Sequence, residues 1–286
     1  MTAFKDTFFY TKKTSRTGGR IIDWTFPRIM AILNCTPDSF YDGNANRSIE
    51  TAVEQASLMI AEGAEIIDVG GYSSRPGAAD ISLKEELDRI VPVIEDIRKN
   101  FPDILISIDT FRSQVASRAI EAGANMINDI SGGMLDPEMF ATAARYEVPY
   151  ILMHSKGTPQ TMNSLSNYED LVNDMLGYFI ERIEQARRAG IKDIIIDPGF
   201  GFAKTIDQNY ELLKKLKIFT VLNLPVLVGV SRKSMIYKIL ENTPSEALNG
   251  TTVLHSMALM NNIQILRVHD IKEARETIQL VKRVLN

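Results

Sequence analysis

The chain has 286 residues, of which 45% are hydrophobic and 24% charged, a composition typical of soluble globular proteins. Its formal net charge of −4 argues against a nucleic-acid-binding protein, which would need a basic surface. The single cysteine, Cys35, excludes an intrachain disulfide and a cysteine-rich zinc site. The first 20 residues lack the apolar stretch of a signal peptide, and no window is apolar over the length of a membrane helix. We therefore expect a cytoplasmic protein.

The first predicted element is an antiparallel hairpin within residues 4–27. Its centre is the sequence TGG at 17–19, whose glycines suit a turn between two short strands. Because the hairpin precedes all the other predicted strands, we expect it to cap the bottom of the barrel that those strands are predicted to form, with Trp24 packed there.

Eight apolar runs follow, each ending in a polar residue or glycine. Their hydrophobicity is continuous rather than alternating, which is typical of parallel strands buried on both faces. The runs are 28–34, 64–71, 104–110, 125–133, 149–155, 193–199, 225–231 and 264–270. Helical patterns lie at 48–63, 83–100, 112–123, 136–146, 167–190, 207–222, 232–262 in two pieces, and 271–285.

This alternation predicts an α/β protein with a (β/α)8 barrel, a fold of about 250 residues. The alternative is a doubly wound open sheet, which usually has a glycine-rich turn after its first strand. The sequence NCTPDSF, which follows the first run here, is not such a turn. Since no linker-like segment interrupts the series, we predict a single domain over residues 1–286.

Polar side chains stand at the predicted carboxyl ends of these strands. The set comprises Asn34, Asp109, Asn128, Asp129, His154, Asp197, Ser231, Lys233, Arg267, His269 and Asp270, with Asp68 further inside its strand. A single residue of this kind more often caps the following helix. Several together, at the barrel end where active sites lie, predict a binding site, because charged groups are rarely buried without a partner or a function. The alternative is a set of ion pairs that tie the strand ends together.

The residue types indicate what such a site would bind. The carboxylates of Asp109 and Asp197 can each accept parallel N–H bonds, which favours a flat heterocycle with an edge of N–H donors. Arg267 and His269 can donate to phosphate oxygens, and the carbonyl oxygen of Asn34 suits a hard cation such as Mg²⁺. We expect a heterocycle deep in the barrel and a phosphorylated arm near the first and last strands.

An ordered series of motifs resembles the dihydropteroate synthase family of folate synthesis. The motifs are ILNCTPDSFYDGN, IIDVGGYSSRPGA, SIDTFRSQVASRAIEAGANMINDISGG, LMHSKGTPQTMN, DPGFGFAKTIDQNYELLKKL, PVLVGVSRKSMI and ILRVHDIKEA. They extend over nearly the whole chain and fall at the predicted strand ends. The resemblance implies a transferase that joins 6-hydroxymethyl-7,8-dihydropterin diphosphate to 4-aminobenzoate, with release of diphosphate and formation of 7,8-dihydropteroate. It also implies a homodimer and Mg²⁺.

The family pattern further implies a role for each matching residue. The pterin would be held by Asp109, Asn128, Met153, Asp197, Phe202, Lys233 and Arg267. The diphosphate would be held by Asn34, Arg267 and His269, with Asn34 also a ligand of Mg²⁺. The 4-aminobenzoate site would comprise Thr36, Pro37, Phe40, Ser74, Arg75, Pro76 and Ser234. The catalytic residues would be Asp42, Arg75 and Lys233, in an SN1-like reaction in which Asp42 faces the developing cation.

This chain departs from the family pattern at a few positions. Cys35 stands where Val is commoner, and Tyr72 and Ser74 replace the usual Glu and Thr. Two other interpretations remain open, a methyltetrahydrofolate-binding methyltransferase domain and a pterin-binding protein without catalysis. The TPDSF and SRPGA sequences argue against the first, and the presence of Asn34, Asp42, Arg75 and His269 argues against the second.

Overall fold

A computed structural model of the protein describes residues 14–36, 45–73, 80–158, 161 and 165–285. The strands are β1 (Thr14–Thr17), β2 (Arg20–Asp23), β3 (Arg28–Asn34), β4 (Ile66–Gly70), β5 (Leu105–Asp109), β6 (Met126–Asp129), β7 (Tyr150–Met153), β8 (Ile194–Asp197), β9 (Leu227–Val228) and β10 (Ile265–Val268). The α-helices are α1 (Ala45–Glu62), α2 (Leu83–Asn100), α3 (Ser113–Glu121), α4 (Met139–Tyr146), α5 (Leu171–Arg188), α6 (Ile206–Lys214), α7 (Ser234–Tyr237), α8 (Leu248–Met260) and α9 (Ile271–Leu285). Two 3₁₀-helices span Leu216–Leu222 and Pro244–Glu246.

Strands β3 to β10 form the predicted parallel barrel. Their order in the sheet is β8-β7-β6-β5-β4-β3-β10-β9, and every neighbouring pair is parallel. A parallel bridge between Ile196 of β8 and Val226, just before β9, joins the two ends of the sheet. The (β/α)8 prediction is confirmed, and the alternative of an open doubly wound sheet is wrong.

The lower interior of the barrel is apolar and is closed by the N-terminal hairpin. Ile22 and Trp24 belong to one buried cluster with an inward-facing residue from each barrel strand, namely Met30, Ile66, Leu105, Met126, Ile151, Ile195, Leu227 and Ile265. The buried indole nitrogen of Trp24 donates to Ser15 Oγ at 2.8 Å, which satisfies its one polar atom. The predicted position of the hairpin is therefore confirmed, and the barrel interior at that end is apolar.

All the barrel strands except β3 are shorter than their apolar runs, β6 and β9 most of all. β6 ends at Asp129 because that carboxylate accepts from the amides of Ser131, at 2.7 Å, and Gly133, at 2.8 Å, and so turns the chain. β9 has only two residues, and the chain soon turns through Arg232, whose φ of +54° is left-handed. Apolar character predicts burial, but side-chain bonds to the backbone decide where pairing stops.

The helical region predicted at 207–222 divides in the structure into α6 and a 3₁₀-helix. The second part, LKIFTVL, is rich in β-branched and aromatic residues, which favour the α-helix less than the residues of α6 do. Phe219 from this segment is fully buried. Within the part of the chain that the structure describes, no helix combines the length and hydrophobicity needed to cross a membrane.

Candidate active site

The candidate site occupies the barrel interior at the carboxyl ends of the strands. Strand register places Gly70 beside Asp109 and Asp109 beside Asn128 on the neighbouring strands β4, β5 and β6. Across the barrel, the register places Met153 of β7 beside Asp197 of β8. Since alternate residues of a strand share one face, these side chains lie above the apolar cluster that the hairpin closes.

Arg267 on β10 is the centre of the polar network. Its Nε donates to Asp68 Oδ2 at 2.6 Å and its Nη2 donates to Asp109 Oδ2 at 2.5 Å. Asn128 Nδ2 donates to the same oxygen of Asp68 at 3.0 Å. The guanidinium therefore joins two carboxylates on β4 and β5, and Asp68 connects it to the carboxamide on β6.

Asp68 belongs to this site, although the family pattern gave it no role. Its side chain is fully buried, and Oδ1 has no hydrogen-bond partner among the described residues. The available signal was a carboxylate inside an otherwise apolar strand, where a charge requires compensation. The compensation comes from Arg267 and Asn128, which lie far along the chain.

The other half of the pocket lies at the ends of β8 and β9. Asp197 Oδ1 accepts from the amide of Gly199 at 2.7 Å. Lys233 Nζ donates to the carbonyl oxygen of Phe200 and lies 4.6 Å from the ring centroid of Phe202, a cation–π contact. A carboxylate, a cation and an aromatic face thus stand together beside the turn that follows β8.

Burial changes the ionisation of the groups in both halves. It raises the pKa of Asp109 to about 7, with the Arg267 cation acting in the opposite direction. It also raises the pKa of Asp197, opposed by Lys233, and it lowers the pKa of Lys233 to about 8. The carboxylates outweigh burial for Arg267, so its pKa is raised and it remains a cation. Such shifts are typical of functional sites.

The two carboxylates each keep one oxygen available for a ligand. Asp109 Oδ2 is bonded to Arg267, and Asp197 Oδ1 is bonded to Gly199. No described residue donates to Asp109 Oδ1 or to Asp197 Oδ2. A flat ligand with N–H donors on two sides would satisfy both oxygens, which agrees with the heterocycle expected from the sequence.

The rim of the site near β3 and β10 carries groups suited to an anion. His269 is exposed, and both its backbone amide and its Nδ1 lie 3.2 Å from Ser231 Oγ. Arg232 binds Asp270 with two bonds, Nε to Oδ2 at 2.9 Å and Nη2 to Oδ1 at 2.6 Å. This bidentate pair ties the segment before Lys233 to the segment after His269. Neither Arg232 nor its pairing with Asp270 appeared among the sequence expectations.

Asn34 is the one residue that the sequence assigned to Mg²⁺. Asn34 ends β3, is half-buried and lies beside Gly70 in the strand register. Among residues with described positions, no group of three or more His, Cys, Asp or Glu side chains could hold a metal. A single carboxamide oxygen suits Mg²⁺, which often binds one or two protein groups and takes the rest from substrate phosphates and water.

The comparisons with known proteins agree with this geometry. Residues 30–269 match the family model described as pterin binding enzyme. A dihydropteroate synthase from Synechocystis sp. is 48% identical over 261 residues, which cover 89% of each chain. The structure of Yersinia pestis dihydropteroate synthase with a sulfonamide drug complex has a TM-score of 0.89 and 40% identity, and covers 95% of this chain and 99% of that one.

The chain belongs to the dihydropteroate synthase family. The resemblance drawn from the seven motifs is thereby confirmed. A second dihydropteroate synthase structure, from Xanthomonas albilineans with 4-aminobenzoic acid, has a TM-score of 0.89 at 36% identity and covers 96% of this chain and 98% of that one.

Several residues expected from the family pattern lie outside the described residues. They are Pro37, Phe40 and Asp42 after β3, and Ser74, Arg75 and Pro76 after β4. Thr36, the last described residue before the first gap, is half-buried, and Met153 is buried at the end of β7. Ser234 begins α7, which has only four residues and therefore a small helix dipole.

Two of the residues that depart from the dihydropteroate synthase pattern lie in the described part of the chain. Tyr72 forms an edge-to-face contact with Phe111, with ring centroids 5.0 Å apart, and the Arg112 guanidinium lies 5.4 Å from its ring centroid. Cys35 is buried, which raises the pKa of its thiol to about 12. A thiol of this kind packs as a small hydrophobe rather than acting as a nucleophile.

Proposed function

We propose that the protein catalyses the condensation of 6-hydroxymethyl-7,8-dihydropterin diphosphate with 4-aminobenzoate to give 7,8-dihydropteroate and diphosphate. The proposal rests on the Arg267 network, which joins Asp68, Asp109 and Asn128 above an apolar barrel core. The chain that carries this network belongs to the dihydropteroate synthase family. The available oxygens of Asp109 and Asp197 would accept the N–H groups of the pterin, and the ring of Phe202 would pack beside it.

The proposed reaction depends on stabilising a leaving group rather than on a protein nucleophile. As the C–O bond breaks, negative charge grows on the diphosphate, where Arg267 and His269 would stabilise it. The methylene carbon left on the electron-rich pterin can carry positive charge, which supports the SN1-like route. The arylamine nitrogen of 4-aminobenzoate then forms the C–N bond and loses a proton.

The proposed cofactor is Mg²⁺, held by Asn34 together with oxygens of the substrate diphosphate. When bound, it would supply additional positive charge to the leaving group. In the same proposal, Asp42 faces the developing cation, and Arg75 acts on the diphosphate. Thr36, Pro37, Phe40, Ser74, Pro76 and Ser234 would form the 4-aminobenzoate site.

The deciding experiment follows diphosphate release by the purified protein with both substrates and Mg²⁺. We expect diphosphate release only when both substrates are present. Removing the metal with EDTA should abolish the release, and adding Mg²⁺ back should restore it. If calorimetry shows pterin binding but no diphosphate is released, the proposed synthase activity is wrong. The protein would then be a pterin-binding protein without catalysis. Turnover that is unaffected by EDTA would contradict the proposed requirement for Mg²⁺.

Replacing Asp197 by Ala is expected to weaken pterin binding by about 2–4 kcal/mol, because the N–H donors of the bound heterocycle would lose a charged acceptor. The measurement is the dissociation constant for 6-hydroxymethylpterin by calorimetry. Asp193→Ala is a matched control, since Asp193 precedes β8 and accepts from the amide of Arg16 in the hairpin. Unchanged pterin affinity in Asp197→Ala would show that this carboxylate does not bind the heterocycle.

We further propose that two copies of the chain associate through α8 and α9. On α8, Val253, Met257 and Met260 are 47%, 49% and 61% exposed at a spacing that places them on one helical face. Exposed Leu280 and Val284 on α9, which packs against α8, extend the apolar surface. Exposed apolar side chains on two helices that pack together suit a protein interface. Sedimentation equilibrium should give a dimer for the native chain and a monomer for Met257→Lys, and a monomeric native chain at micromolar concentration would contradict the proposal.

A further inference from the structure

Lys204 makes three polar contacts at the end of the turn that follows β8. Its Nζ donates to the carbonyl oxygens of Gly199, at 3.0 Å, and Phe202, at 3.1 Å. It also lies 3.1 Å from Nδ1 of His154, which follows β7. One ammonium group therefore ties both ends of the 199–203 turn to the neighbouring strand. Lys204 has no role in the proposed reaction.

The imidazole of His154 is suited to accept from Lys204. The side chain is 2% exposed and packs edge-to-face against the ring of Tyr178, with centroids 4.8 Å apart. Burial and the nearby cations Lys204 and Lys156 lower the pKa of His154 well below its ordinary value. The ring is therefore neutral, and an ammonium donor at Nδ1 places the ring proton on Nε2.

The charge of Lys204 has no direct carboxylate partner among the described residues. Asp197 acts on it through space and favours the cation, whereas Lys233 and Lys156 disfavour it. Burial has the largest effect and lowers the pKa of Lys204 to about 7. Burying an ammonium group without a paired carboxylate lowers the stability of the fold, and its three polar contacts offset that cost only in part. A lysine kept at such a position suggests a function.

The 199–203 turn carries the groups that complete the pterin-binding half of the pocket. The amide of Gly199 donates to Asp197, the carbonyl oxygen of Phe200 accepts from Lys233, and the ring of Phe202 lies against the Lys233 ammonium. The turn also approaches β7 closely, because a Cβ on Gly199 would lie 2.1 Å from the carbonyl oxygen of His154. A shift of this turn would move all three groups together.

We propose that Lys204 is a positioning residue, whose ammonium group fixes the 199–203 turn against His154 and thereby holds Asp197, Phe202 and Lys233 in their binding geometry. Lys204 does not touch the substrate in this arrangement and acts through the turn. The inference rests on the proposed assignment of Asp197 and Lys233 to the pterin.

The test is Lys204→Met, which keeps an unbranched side chain and removes all three N–H donors. We expect the dissociation constant for 6-hydroxymethylpterin and the KM for the pterin diphosphate to rise at least tenfold. The KM for 4-aminobenzoate at saturating pterin should stay within twofold of the native value. Lys215→Met is the matched control, because Lys215 pairs with Glu211 on the surface of α6, outside the turn.

The outcomes separate the positioning role from the pocket assignment. Pterin affinity within twofold of native in Lys204→Met, with Asp197→Ala clearly weakened, would overturn the role of Lys204 alone. Unchanged affinity in both variants would mean that the pocket assignment itself is wrong. Equal increases in KM for both substrates would indicate a general structural defect and would also overturn the proposal.

A second variant tests the same contact if Lys204→Met fails to fold. His154→Phe keeps an aromatic ring and removes the acceptor nitrogen, so two of the three contacts of Lys204 remain. We expect a smaller increase in the pterin dissociation constant, about three- to tenfold, again without a change in the KM for 4-aminobenzoate. Native pterin affinity in a folded His154→Phe protein would contradict the positioning role.

Discussion

Replacing Arg267 by Met is expected to lower kcat by about 10³-fold and the free energy of unfolding by about 3–5 kcal/mol. The stability loss arises because Asp68 and Asp109 would remain in the barrel interior without their shared cation. The activity loss arises because the diphosphate would lose a charged donor as the C–O bond breaks. Urea unfolding and steady-state diphosphate release measure the two effects separately.

A conservative variant and a surface control sharpen this prediction. Arg267→Lys keeps the charge, but an ammonium group cannot reproduce the planar pair of bonds to two carboxylates on different strands. We expect it to recover most of the stability and less than a tenth of kcat. Arg118→Met breaks the exposed pair with Glu121 and should change stability by less than about 0.5 kcal/mol. Full activity in Arg267→Met would show that the reaction does not need Arg267.

The barrel was predictable from the sequence because parallel strands leave local signals. Continuous apolar runs gave the strand positions, and a polar residue or glycine at the end of each run marked the end of the barrel that carries the site. The runs at 125–133 and 225–231 were too long as strand predictions, since apolar character continues beyond the last ladder bond. There, side-chain bonds from Asp129 and the left-handed Arg232 determine the end of pairing.

The partners within the site were less predictable than its members. Arg267 and Asp68 are 199 positions apart, and no local pattern relates them. The same is true of Lys204, which looks like a turn residue in the sequence and is bonded to His154, 50 positions earlier. Periodicity reports which face a residue occupies, whereas the choice of partner depends on the closure of the barrel.

Asp68 provides the second large prediction, because its substitution separates hydrogen bonding from charge. Asp68→Leu removes the acceptor of Arg267 Nε and Asn128 Nδ2, which leaves two donors in the interior without a partner. We expect it to cost about 3–5 kcal/mol of stability and to lower kcat/KM for the pterin diphosphate by about 10²-fold or more.

Asp68→Asn is the informative comparison, because it removes the charge and can keep the bonds. Its carbonyl oxygen can take the place of Oδ2, and its amide can replace Oδ1, which has no partner among the described residues. Since the variant also lowers the negative charge near a diphosphate-bearing substrate, its kcat/KM should stay within about tenfold of native. Equal losses in Asp68→Asn and Asp68→Leu would show that Asp68 acts through its charge, and a near-native Asp68→Leu would show that Arg267 needs no support from β4.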